Sequence, residues 1–171
     1  ELFDFTSLGE WKDRVFQNGP APRMMLRETP LGGSSGMVDP AELQKRSEQD
    51  LRGWGQGLVG RLLRACLDRG IEPVLGCGGY RLVVDKNRVT GPIVERHGQQ
   101  ETITALQGVI PATGGFEWND ALKHAFLRGP LDAPASPPTN RGDGLKMARA
   151  AGASLGNMTS AWGVPTPAVP V

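Results

Sequence analysis

A chain of 171 residues has room for one domain with a modest core, or for two partial lobes of a larger body. With 19 Lys and Arg against 18 Asp and Glu, it carries no field that would favour nucleic acid or an anionic membrane surface. The 24 glycines and 14 prolines follow no fixed period, which excludes collagen-like and solenoid repeats and points to a loop-rich domain. No apolar run approaches the roughly 20 residues that cross a bilayer. Cys66 and Cys77, one in a helical pattern and one among glycines, give no disulfide framework and fit the reducing cytoplasm.

In chain order, residues 1–39 alternate short apolar clusters (Trp11, Val15 and Phe16; Met24, Met25 and Leu26) with Gly and Pro breakers. Leu8 to Phe16 reads as a short helix, and Gly32 to Gly36 as a flexible loop. Asp39-Pro40 is a helix-start signal, Asp as N-cap and Pro in the first turn, which predicts a polar helix over Ala41 to Leu51. The strongest helical pattern runs from Gln56 to Arg69, where Leu58, Val59, Leu62, Leu63, Cys66 and Leu67 share a face, with Gly70 closing it. Ile71 to Leu75, apolar but containing Pro73, reads as an edge strand or strand start, and helix followed by strand implies an α/β sheet.

From Tyr80 the period becomes that of strands. Tyr80–Asp85, a turn at Lys86-Asn87, Arg88–Arg96, a turn at Gly98 and Glu101–Ala105 predict an antiparallel meander. Gln107 to Ala112 reads as a buried strand emptying into Thr113-Gly114-Gly115. Asn119 to Leu127 reads as a helix, Gly129 to Thr139 as a proline-rich loop, and Asp143 as the cap of a helix over Gly144 to Ala151 stopped by Gly152. Ser154 to Trp162 reads as irregular chain or a short strand.

Three glycine-bearing places could meet a ligand. Ala112-Thr113-Gly114-Gly115-Phe116 combines a strand end with bare backbone, the kind of place where ligands gather in open α/β sheets; a plain strand-to-helix turn explains the spacing as well. Gly142-Asp143-Gly144 opens a helix whose free N–H groups can hold an oxygen-rich ligand, with Asp143 accepting from ligand hydroxyls or acting only as a cap. Gly76-Cys77-Gly78-Gly79, ahead of a strand, can admit an adenine ring or be a flexible turn. None of these is a GxGxxG fingerprint. His97 and His124 share no ligand spacing with a Cys or carboxylate pair, so no metal site is expected. Trp11, Trp54, Trp118 and Trp162 are too scattered for a base-stacking surface.

Taken in order, Gly108-Val109-Ile110-Pro111-Ala112-Thr113-Gly114-Gly115-Phe116-Glu117-Trp118-Asn119, Gly142-Asp143-Gly144 with Met147-Ala148 and Ala151-Gly152-Ala153, Asn157-Met158 and Ala161-Trp162-Gly163-Val164-Pro165 resemble the flavoprotein family of fumarate reductases, succinate dehydrogenases and 3-ketosteroid dehydrogenases. The helix from Gly57, Leu82-Val83-Val84-Asp85 and Arg88-Val89-Thr90-Gly91 follow the order of the same family, so the resemblance covers about residues 55–165. It implies an α/β fold, a partial Rossmann-like FAD-binding domain with an antiparallel β-meander. The implied organisation is a partial lobe or connecting segment over 1–54, the middle of the FAD-binding domain over 55–165, and a truncated tail over 166–171.

The resemblance also implies FAD as cofactor, with contacts at Gly79, Ala112, Thr113, Gly114 and Asp143. Pro111 stands where the family has an aliphatic strand residue, and Gly78-Gly79 where it has a β-branched one. The activity implied is hydride transfer at a carbon–carbon bond next to a carbonyl, on a small-molecule substrate. Neither the N-terminal dinucleotide-binding unit nor the substrate lobe with its acid–base groups is expected within these residues, and no residue here is a catalytic candidate. The expected partner is the remainder of the flavoprotein or a second subunit; the alternative is a non-catalytic flavoprotein remnant acting as a scaffold.

Overall fold

The computed structural model describes residues 1–15 and 21–161, so Phe16, Trp162 and the tail 166–171 lie outside the described residues. The chain divides into two compact units, Glu1–Pro73 and Val74–Val171.

In the first unit, β1 (Phe3–Asp4) pairs antiparallel with β2 (Leu51–Arg52), Phe3 opposite Arg52. The segment expected to be a helix from Leu8 is instead a run of tight 3-10 turns over Phe5–Arg14, interrupted at Gly9, whose backbone is non-helical. Asp4 caps its start by accepting from the Thr6 amide at 2.8 Å. Phe5 and Leu8 form the buried apolar centre. Helix α1 (Pro40–Glu48) begins as its sequence signal predicts, Asp39 accepting from Ala41 N at 2.9 Å. It stops before Leu51, which is claimed by the β1–β2 pair.

Buried Arg46 on α1 forks onto Glu28 at 2.8 and 2.9 Å and also donates to Glu42 at 2.8 Å. Asp50 is gripped by Arg23 and Arg52, and the Arg52 guanidinium lies 3.9 Å above the Phe5 ring. Helix α2 (Trp54–Leu67) packs most closely through glycines, with only part of its apolar face, Leu63, Cys66 and Leu67, half-buried. Gly57 and Gly60 are buried, Gly60 against Phe3 and Phe5, while Leu58 and Leu62 are 60% and 59% exposed.

The second unit is built on a three-stranded meander: β3 (Cys77–Asp85), β4 (Arg88–Arg96) and β5 (Gln99–Thr102), antiparallel in that order. The turn residues Lys86 and Asn87, at φ 46° and 64°, and His97 and Gly98, at 52° and 74°, match the backbone of two-residue hairpin loops. The third strand starts two residues before the expected Glu101, and Ile103 and Ala105 still bond back to Pro92 O and Thr90 O. Helix α3 (Asp120–Phe126) is capped by Asn119, which accepts from Leu122 N at 3.1 Å. Helix α4 (Asp143–Ala150) lies on β3, Met147 approaching the Cβ position of Gly79 at 3.3 Å.

Three expectations are corrected. Ile71–Leu75 is irregular and exposed, since Pro73 offers no N–H and no described strand pairs with it. Gln107–Ala112 likewise has no ladder partner among the described residues, and Ile110 is 90% exposed; a strand exists only by pairing. Asp143 is the first residue of α4 and not its cap, a place taken by Gly142 at φ 77°. The β-structure of the described residues is antiparallel throughout, in an α/β arrangement.

Candidate functional site

The site is assembled where the chain after Ala112 meets the start of α4. Thr113 Oγ1 accepts from the Gly144 amide at 3.1 Å, and the Gly115 carbonyl accepts from Gly142 N at 3.0 Å. Two of the donors that a helix start leaves over are therefore used to hold the Thr-Gly-Gly turn against α4. This closeness needs glycine. A Cβ at 144 would overlap Thr113 Oγ1, and one at 142 would fall 2.7 Å from Leu122 Cδ1 and 2.9 Å from Phe116 Cβ. Gly142 and Gly144 are buried, whereas Asp143 between them is exposed and lies 3.5 Å from Lys146 Nζ.

A second set of contacts secures the turn from behind. Asn140 accepts from Trp118 N through its carbonyl at 3.0 Å and donates from its side chain to Glu117 Oε1 at 2.8 Å. Asn119 donates to Arg141 O at 3.0 Å, and the Trp118 indole donates to Ser136 O at 2.9 Å, tying in the proline-rich loop. Phe116 meets Phe126 edge to face, with centroids 6.1 Å apart. Burial pushes the Glu117 carboxyl up, but the hydrogen bonds it accepts, from Asn140 foremost, outweigh burial and hold it below its ordinary value.

Of the residues singled out in the sequence, Thr113, Gly114 and Asp143 come together here. Ala112 leads into the same turn and is exposed. Gly79 lies within β3, opposite Val94, and faces Met147 of α4. Sequence reasoning missed Asn140, whose place three residues ahead of Asp143 was the available signal. Among the described residues, no three His, Cys, Asp or Glu side chains gather as a metal site, and His124 Nδ1 is spent on Asp120 O at 2.7 Å. No helix among them is long and apolar enough to cross a membrane.

Exposed backbone at 112–115 and an exposed carboxylate at position 143 can bond a polar ligand, while the Gly142 and Gly144 amides are already spent within the chain. Residues 4–171 match the model of the FAD binding domain family, and the chain belongs to that family. FAD is the cofactor that goes with the domain.

The chain is 37% identical, over 92% of its length, to 4-oxocyclohexanecarboxylate 2-dehydrogenase of Sinomonas cyclohexanicum, and 30% identical over 85% to 3-oxosteroid 1-dehydrogenase of Mycobacterium tuberculosis. In structure it is similar to 3-ketosteroid delta1-dehydrogenase of Sterolibacterium denitrificans in complex with 1,4-androstadiene-3,17-dione, with TM-score 0.80 and 27% identity over 99% of this chain. It spans 28%, 26% and 35% of those three chains respectively.

Proposed function

We propose that the intact protein is an FAD-dependent dehydrogenase of cyclic ketones, and that these residues hold part of its flavin. The carrying observation is the joint between the twin-glycine turn and the α4 start, made by Thr113 and Gly144. Ala112, Thr113 and Gly114 present backbone to the cofactor, Asp143 accepts from its hydroxyls, and the strand around Gly79 lies toward the adenine end. When bound, FAD supplies the acceptor for a hydride leaving the carbon next but one to a ketone carbonyl, while a base takes the proton from the carbon between. The names of the relatives support a carbonyl-bearing ring as substrate, either an oxosteroid or a smaller oxocyclohexane.

A Rossmann-like sheet in the intact protein, with a flavin-binding middle segment at 55–165, goes with this reading. The acid–base residues are supplied by the remainder of the flavoprotein, in the cytoplasm. The test is titration of the intact protein and of its Asp143→Ala form with FAD, following flavin fluorescence and melting temperature together. Saturable binding with stabilisation, weakened about tenfold by loss of the charged acceptor, is the expected result. Binding that ignores position 143 removes this assignment, and no binding at all leaves the scaffold reading.

A further inference from the structure

Gly114 and Gly115 are adjacent, and each is backed by a different member of one hydrogen-bonded side-chain pair. An ideal Cβ at Gly114, where φ is +77°, would lie 2.6 Å from Asn140 Oδ1, and one at Gly115 would overlap Glu117 Oε2. The pair itself is joined by Asn140 Nδ2 donating to Glu117 Oε1 at 2.8 Å. A carboxylate at the end of a flexible side chain would ordinarily swing aside. This one is held by the Asn140 amide, and Asn140 is held in turn by backbone bonds to Pro137 O and Trp118 N. Both side chains are half-buried, while the backbone they support is exposed.

We propose that Asn140 and Glu117 are positioning residues for the flavin: their hydrogen-bonded pair fills the rear of the twin-glycine turn and fixes the direction in which its peptide groups face the cofactor. The inference rests on the reading that this turn meets FAD. The pair needs one donor and one acceptor, and nothing in the geometry requires the donor to be at 140. Exchanging the two chemistries should therefore preserve the function.

The experiment uses the intact protein and three forms, Asn140→Asp, the exchange Glu117→Gln with Asn140→Asp, and Asp143→Ala. FAD affinity and the absorbance band of the bound oxidised flavin are read beside the melting temperature of the flavin-free protein. Asn140→Asp sets two acceptors against each other and is expected to weaken FAD about tenfold or more and to shift the band. In the exchange, the amide now at position 117 donates to the carboxylate now at position 140, and affinity and band are expected to return to within about twofold of the parent, the residue of one imperfect hydrogen bond.

Asn140→Asp with parental affinity and band overturns the proposal, as does a folded exchange form that stays weak. Failure of both forms to fold also overturns it, since the pair would then be a requirement of folding. If Asp143→Ala leaves affinity unchanged, the flavin assignment of the turn falls; if Asp143→Ala weakens binding and Asn140→Asp does not, only the positioning role falls.

Discussion

Replacing Thr113 by Val keeps the shape of the side chain and deletes the oxygen that receives the Gly144 amide at 3.1 Å. Gly144 is buried, so its N–H cannot turn to bulk water. The loss is that of a helix-start hydrogen bond with the donor left behind, about 1–2 kcal/mol. In a unit the size of Val74–Val171 each kcal/mol is worth about 4–8 °C of melting temperature, so thermal melting followed by circular dichroism resolves it easily. Thr113→Ser retains the acceptor and should lose less than half as much. FAD affinity should fall in Thr113→Val and hold in Thr113→Ser, because the turn and α4 are joined by this bond. A Val form that melts within about 1 °C of the parent would refute the reasoning, since the smallest cost allowed to a buried, unpaired amide would be absent.

Gly60→Ala pits two effects against each other. The added methyl favours helix by about 1 kcal/mol, but it would sit 2.6 Å from Phe3 Cδ1 and 2.9 Å from Phe5 Cε2, an overpacking that costs about 1–3 kcal/mol. Phe5 is fully buried and has nowhere to go, so urea unfolding should show a net loss for Gly60→Ala. Gly55→Ala, with nothing within 4 Å of its Cβ position, should be neutral or stabilising. The first unit should also be acid-sensitive. The hydrogen bond from Arg46 to Glu28, and that from Arg52 to Asp50, hold each carboxyl down to about 2. Groups depressed in the folded state stabilise it above their ordinary values, 4.5 and 3.8, and that stabilisation drains away as pH falls toward about 2. Far-ultraviolet circular dichroism against pH should show this loss, and Glu28→Gln should flatten it.

What could be read from the sequence was whatever is decided locally. Asp39-Pro40 started α1 as expected, because a cap needs only its own residue and the next few amides. Lys86-Asn87 made its turn for the same reason. The packing face of α2 could not be read, because Leu58 and Leu62 have the period of a buried stripe while Gly57 and Gly60 permit the closer approach. At the site, the glycine motifs stood out as motifs, but Asn140 acts across 23 residues on Glu117, a separation at which no local rule operates.

The two clearest departures have one logic. Leu58, Val59 and Leu62 of α2 and most of the strand-like Gln107–Ala112 carry burial patterns, and they are exposed among the described residues. A hydrophobic period records that a face is to be covered and says nothing of what covers it. The glycine contacts differ in kind. Gly144 against Thr113, Gly142 against Phe116, and Gly114 against Asn140 are complete within the second unit. The shape of the twin-glycine turn therefore rests on contacts within that unit, which is what the proposed cofactor contact requires.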